Sequence, residues 1–503
     1  MPHMSRQTAR AWLHALLLCT AVFVYAVFLQ GVRPLYSPDE GRYTNVALVM
    51  LDTGDWLRPM LHHEVEHWSK PPLTYWSIAS SFAVFGHYEF SARLPGALAF
   101  GATILLMLRL GRRFVPTQPW LPALVYASFL FPSLASNLVT TDSLLALWET
   151  LQVVAFTELW WSTKPTAARR ARWLLGVAAG LAFMTKGPPG LLALAGCLAF
   201  TLWSDGWRGL RRAVSWDALL LFPVVGCSWY AWILLRRPEV MHYFLMEEVV
   251  NRIATDKMRR NAEWYGALKV YAPTLLVGSL PWLPVLCAAL WQSRGTMLQR
   301  LRDDEETRLL ACWLLLPLMA FMIARSRLPL YLLPIFAPLA LLTARRLVRV
   351  RPVPRWVVPV VALWCLALAM TRAAPAFFDI AQDDRRLAEE ISKQLDTIPN
   401  EIVFVATNAR YGLRFYLGSH IERVYLPSDP TQPQSQDLAS ELEEREGCRL
   451  MAAQADRVDE LEGHLERHGV AFRRLSNAGG YTLVAELSSD CDWSGTSTAS
   501  KSG

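Results

Sequence analysis

The stretch Ala11–Tyr43, AWLHALLLCTAVFVYAVFLQGVRPLYSPDEGRY, runs apolar for the thickness of a bilayer and then places two adjacent carboxylates, an arginine and a tyrosine behind the run. Roughly 20 apolar residues in a helix span the hydrocarbon of a membrane, so residues 11–30 read as a membrane helix. Arg6 and Arg10 precede the run in the manner of a signal peptide. The run is too long for a signal h-region and no small-residue cleavage site follows it, so it reads as a retained first span. Ser37–Tyr43 then stands where the chain leaves the membrane.

The rest of the 503 residues repeats this texture: 53% are hydrophobic and 21 are Trp, which places the chain among membrane proteins. Further apolar runs lie at 90–108, 119–138, 141–161, 173–185, 187–204, 215–235, 268–290, 309–324, 328–344 and 356–371, about eleven crossings in all. The net charge of +7 is carried in short loops rather than in a patch, which argues against a nucleic-acid partner. Arg109, Arg112 and Arg113, then Lys164, Arg169 and Arg170, then Arg208, Arg211 and Arg212, then Arg300 and Arg302, then Arg345, Arg346 and Arg349 fall in alternate connections. The positive-inside rule therefore puts the N-terminus inside and the C-terminus outside. Six of the eight cysteines lie in or beside apolar runs without metal-ligand spacing; Cys448 and Cys491 belong to the outer C-terminal region, where one disulfide between them suits an oxidising compartment.

Two outer segments, about 31–90 and 236–267, are too long to be turns. The first holds DEGRYTNVALVMLDTGDW, which suits a short amphipathic helix in the interface ended near Gly54, and SKPPLTYWSIASSFAVFG, which suits a second helix opening after Pro71 and Pro72. Residues 1–374 are thus read as a transmembrane domain, 375–490 as an outer α/β domain and 491–503 as a disordered polar tail. In the α/β domain EIVFVAT, ERVYL and GYTLVAEL read as strands, and DDRRLAEEISKQL, LASELEEREG and DRVDELEGHLERHG as helices.

Drawn this way, the unusual polar residues all face the outer surface: Asp39, Glu40, Arg42 and Tyr43; Lys70; Asp142 in VTTDSLL; Lys186 in KGPPG; Glu247, Glu248 and Arg252; and Arg325, Arg327 and Tyr331 in ARSRLPLYLLP. Singly, each has a plain reading as a helix cap, a snorkelling lysine or an exposed ion pair. Jointly, charges beside a bilayer are costly unless they serve a site. Cations there suit a lipid phosphate, carboxylates suit a general base or a sugar's hydroxyl and amine groups, and aromatic rings suit a sugar face.

Taken in order, DEGRY, GDWLRP, SKPPLTYW, ARLPGAL, TDSLL, MTKGPPGL and RLPLYLLP resemble the membrane glycosyltransferases that include the bacterial aminoarabinose transferases of lipid A and the protein O-mannosyltransferases. The resemblance covers about residues 10–350. It implies a polytopic α-helical membrane protein of the C-type glycosyltransferase fold, with about 11–13 transmembrane helices, interfacial helices in the first outer loop and a small periplasmic α/β domain. It also implies a multi-pass protein of the bacterial inner membrane with its C-terminus periplasmic.

The resemblance further implies an enzyme that moves a sugar, with inversion, from a polyprenyl (undecaprenyl) phosphate donor to a periplasmic acceptor. The reaction implied first is transfer of 4-amino-4-deoxy-L-arabinose to lipid A; another sugar, such as a hexose or uronic acid, and another acceptor, such as a glycan, lipid or protein, are the alternatives. A secondary transporter is the reading from another class, disfavoured because the charges sit at span ends and no repeat appears. By matching motifs, Asp39 and Asp142 are the catalytic carboxylates. Lys70, Arg252 and Lys186 bind donor phosphate, and Glu40, Tyr43, Glu248 and Tyr331 contact substrate. A divalent metal ion is left open. One departure is visible: Ser69 stands where aminoarabinose transferases carry an acidic residue before the lysine and proline pair, which bears on the choice of sugar and on metal binding.

Overall fold

The computed structural model describes residues 6–62, 65–251, 260–350, 352–395, 397–426, 437–444 and 448–487. Every apolar run of the sequence folds as helix. The first forms α1 (Arg6–Val27). The outer segment behind it forms α2 (Asp39–Thr53), closed by Gly54 at φ +70, and α3 (Leu73–Phe85). There follow α4 (Glu89–Phe114), α5 (Leu121–Ser128), α6 (Leu130–Ala135), α7 (Asp142–Trp160), α8 (Pro165–Lys186) and α9 (Leu192–Ala213), the last two joined by a 3-10 turn at Pro188–Leu191. Then come α10 (Trp216–Gly226), α11 (Ser228–Arg236), α12 (Gly266–Gly278), α13 (Leu283–Ser293), α14 (Glu305–Ile323), a 3-10 stretch at Pro329–Ile335, α15 (Phe336–Val350) and α16 (Val357–Thr371).

Fewer of these are straight spans than the runs suggest. Among the described residues four helices are long and apolar enough to cross a membrane alone, and six if α10 with α11, bent by 50°, and α12 with α13, bent by 107°, each count as one broken span. A proline lies close to each bend, Pro223 near the end of α10 and Pro281 between α12 and α13, each withdrawing a backbone donor. The remaining runs form shorter apolar helices or, in α7 and α8, helices of sufficient length that carry Glu149, Glu158, Arg169 and Arg170.

The chain divides into two compact units. The first comprises Met1–Gln30, Trp68–Ser77 and Arg93–Ala374. Its core is aromatic, with Phe156, Trp160 and Phe200 in mutual ring contact at 5.3–5.9 Å and Phe129 against Phe336 at 5.4 Å. Arg372 is fully buried in this unit. Its guanidinium donates to the carbonyls of Tyr25, Ala26 and Phe28 at 2.8–3.2 Å, occupying acceptors that the end of α1 leaves open.

The second unit comprises Gly31–His67, Ile78–Ala92 and Pro375–Gly503. It is built on a five-stranded sheet of β1 (Glu401–Val405), β2 (His420–Val424), β3 (Arg449–Ala453), β4 (Phe472–Ala478) and β5 (Tyr481–Glu486), in the order β2-β1-β3-β5-β4. β1 pairs parallel with β2 and β3, while β5 runs antiparallel to β3 and β4. Ile402 and Phe404 enter one apolar layer with Leu387 and Leu413, and Val403 and Val405 enter the other with Leu461 and Leu465. The helices of this sheet are α17 (Asp384–Ser392), α18 (Leu413–Leu417), α19 (Leu438–Glu443) and α20 (Val458–Arg467). Sequence reading missed β3 and β4. β3, RLMAA, lies buried on both faces and lacks the alternation and β-branching that mark a strand, and β4, FRRLSNA, is a polar edge. Cys448 is disulfide-bonded; Cys491 and the tail lie outside the described residues.

Candidate functional site

In the first unit three elements converge. Asp142 opens α7, Lys186 closes α8, and Tyr331 stands in the 3-10 stretch Pro329–Ile335. Lys186 Nζ donates to Asp142 Oδ1 at 2.5 Å and lies 4.3 Å from the centre of the Tyr331 ring. Both charged side chains are only 7% exposed, so this pair is stripped of most of its water. Each charge sits at the favourable end of its helix, the carboxylate at an N-terminus and the ammonium at a C-terminus. Gly187, at φ +66 and ψ −141, turns the chain immediately behind the lysine, a conformation that favours glycine.

Two residues behind this pair went unremarked in the sequence. Glu149 lies two turns below Asp142 on α7, 2% exposed, with Oε1 unpartnered among the described residues. Gln152, one turn further, is fully buried; its amide donates to the Gly190 carbonyl at 2.8 Å and accepts from the Leu194 N–H at 3.1 Å, fixing the KGPPG turn on α7. The spacing of 142, 149 and 152 on one helical face is the signal that could have found them. Arg327, also 5% exposed, donates to the carbonyls of Asn261 and Glu263 at 2.8 Å and so holds the end of the second outer segment.

Lys70, also in this unit, is partly buried, and its ammonium donates to the Ser69 carbonyl at 2.6 Å. Glu247 belongs to a π-helix, Tyr243–Val250, and accepts from Asn251 at 3.0 Å. Glu248 shares that helix, but its side chain, like all of Arg252, lies outside the described residues.

In the second unit Asp39 is the first residue of α2 and is 49% exposed, with Arg42 one turn on as its ion partner. Glu40 is different. It is 3% exposed and takes Arg33 in a bidentate pair at 2.6 and 2.8 Å, plus the Tyr36 N–H at 3.0 Å. The turn that leads into α2 thus clasps the Glu40 carboxylate. Tyr43 is buried at 5% on the same helix.

The described residues also hold one group of three carboxylates close enough to share a cation, Glu401, Glu422 and Glu441. Their charge is met within the protein: Arg449 reaches Glu401 at 2.9 Å and Glu441 at 3.3 Å, and His62 reaches Glu422 at 2.7 Å. Burial, reinforced by the charges of Glu401 and Glu422, pushes the Glu441 carboxyl up to about 9, so it carries a proton at neutral pH.

The profile of the family described as dolichyl-phosphate-mannose-protein mannosyltransferase matches residues 69–232, the segment holding Lys70, Asp142 and Lys186. Among curated proteins, undecaprenyl phosphate-alpha-4-amino-4-deoxy-L-arabinose arabinosyl transferase 2 of Pseudomonas fluorescens is 32% identical over 343 residues, 66% of this chain and 59% of that protein. The corresponding transferase of Pseudomonas aeruginosa is 34% identical over 344 residues, 67% of this chain and 59% of that one. The match thus spans about three fifths of the length of these relatives. The crystal structure of ArnT from Cupriavidus metallidurans bound to undecaprenyl phosphate superposes with a TM-score of 0.78 at 20% identity, over 95% of this chain and 99% of that one. This chain has the fold of the C-type membrane glycosyltransferases and is similar in sequence to the aminoarabinose transferases.

The same fold extends more distantly to the oligosaccharyltransferase of Archaeoglobus fulgidus, with a TM-score of 0.53 at 12% identity over 82% of this chain and 64% of that one. Within this fold the chain brings Asp142, Lys186 and Tyr331 into direct contact, and Asp39 opens α2.

Proposed function

We propose that the chain transfers a sugar from an undecaprenyl phosphate donor to an acceptor on the periplasmic side of the bacterial inner membrane, its C-terminus periplasmic, with 4-amino-4-deoxy-L-arabinose as the sugar and lipid A as the acceptor. The observation that carries the reading is the desolvated Asp142–Lys186–Tyr331 constellation, a cation held beside an aromatic ring where a lipid phosphate and a sugar must be met together. The names of the relatives supply the sugar.

An acceptor oxygen attacks the anomeric carbon as the bond to the phosphate oxygen breaks, so the configuration inverts and polyprenyl phosphate leaves with both electrons of that bond. Negative charge grows on the leaving phosphate, and Lys70, Arg252 and Lys186 are the cations assigned to it. Lys186 is pre-paired with Asp142, so an arriving phosphate competes for the ammonium and frees the carboxylate for the sugar. Asp39, exposed at the head of its helix, orients the reacting groups or takes the acceptor proton. A lipid A phosphate acceptor is already anionic and requires orientation alone. Tyr43, Tyr331 and Glu248 complete the substrate contacts in this assignment. Ser69 is the observation that favours a second reading, a hexose or uronic acid donor.

The test is mass spectrometry of lipid A from cells with the gene, without it, and with Asp39→Asn. Loss of one aminopentose in the deletion and the variant supports the reading. Unchanged lipid A in the deletion sinks the aminoarabinose assignment and leaves other sugars to be tried.

A further inference from the structure

Helix α2, which carries Asp39, is fastened along its length by residues 381–416 of the same compact unit. At its start, Ser37 Oγ donates to both carboxylate oxygens of Asp384 at 2.9 and 2.7 Å, the Ser37 N–H donates to the Gln382 carbonyl at 3.0 Å, and the Asp384 N–H returns to the Leu35 carbonyl at 3.1 Å. Asp384 is fully buried, and Arg410 Nε donates to it at 2.6 Å. Burial pushes this carboxyl up to about 6, with Arg410 and Ser37 pulling it back, so it is ionised at neutral pH.

In the middle of the tie, Gly41 lies against Gly412: a Cβ on Gly41 would fall 2.5 Å from the Gly412 nitrogen, so the helix backbone rests on this loop without a side chain between. At the far end, Arg414 holds Asp52 at 2.7 Å. Asp39 itself is nearly half exposed and, among the described residues, is bonded within its own helix turn to Arg42. The head of α2 is thus mounted on this region while its carboxylate, paired only to Arg42 among the described residues, stays half exposed. A buried carboxylate that accepts a hydroxyl two residues before the proposed catalytic group is more than generic packing, because it fixes the backbone at the point from which Asp39 projects.

We propose that Asp384, through Ser37 and with Arg410 as its counter-ion, is the positioning residue of Asp39, so that the α/β region sets the aim of the transferase's carboxylate. This rests on the role proposed for Asp39. Turnover then depends on Asp384, whereas donor capture by the lysines does not.

The experiment uses the full-length protein in lipid and an undecaprenyl phosphate sugar donor. Ser37→Ala is expected to lower kcat roughly tenfold and Asp384→Asn further, with the donor KM within about twofold of wild type. Amide hydrogen exchange across 39–50 should accelerate in both variants while β1 stays protected. Wild-type kcat in folded Asp384→Asn, or exchange that rises equally in α2 and β1, would overturn the proposal. If Asp384→Asn fails to accumulate, Ser37→Ala decides by the same two readouts. Asp39→Asn is measured in parallel. Should it turn over normally, the role of Asp39 falls and exchange across α2 decides the positioning by itself, unchanged exchange overturning it.

Discussion

Lys186→Met leaves Asp142 buried with no cation. The two charges stand 2.5 Å apart at 7% exposure each, and at an effective dielectric near 20 such a pair attracts by about 7 kcal/mol before desolvation is counted. Removing one partner of a buried pair costs about 3–5 kcal/mol, because the remaining charge must be rehydrated or protonated. Loss of the Lys186 ammonium from the Tyr331 ring adds about 1 kcal/mol. The double variant Asp142→Asn with Lys186→Met removes both charges, and neutral replacements of buried pairs are often close to neutral in stability. Thermal unfolding in one detergent should therefore show a large fall in midpoint for Lys186→Met and recovery of most of it in the double variant, while sugar transfer stays absent from both. A double variant no more stable than the single one, or Lys186→Met at wild-type stability, would refute burial of a mutually compensating pair as the reason these residues meet.

Arg372→Met removes the side-chain donor to the Tyr25 and Phe28 carbonyls at the end of α1, while the Ala26 carbonyl keeps Gln30, and should destabilise the protein by about 2 kcal/mol or more, read as a lower unfolding midpoint. Gln152→Leu unpairs the Gly190 carbonyl and the Leu194 N–H, and the loosened turn should make Lys186 react faster with an amine-directed label, followed by peptide mass spectrometry. Glu441 holds its proton more tightly in the fold than in the unfolded chain, so its contribution to stability is complete below about pH 4.5 and is lost as pH rises toward 9. The stability of wild type relative to Glu441→Gln should accordingly decline between pH 5 and 9 and level off above; a flat difference would argue against the raised carboxyl.

Hydropathy and charge are local properties, and they were enough for the class, the positions of the helical runs and the order of the polar motifs. α2 opens at Asp39 and ends at a left-handed Gly54 as its sequence requires. The partnerships were not local. Lys186 meets Asp142 across 44 residues, and Ser37 meets Asp384 across 347. The motif DEGRY sets two carboxylates side by side, and only the folded turn shows Glu40 buried in the clasp of Arg33 while Asp39, paired with Arg42, stays half exposed.

Consecutive residues alone therefore define a membrane protein with its candidate cations and carboxylates at helix ends, because apolar length and helix-terminal charge are local. Which charges neutralise one another and which remain exposed is settled by the fold. Burial turns a weak surface pairing into a strong constraint, and whether a group is buried depends on chain segments that the sequence keeps far apart.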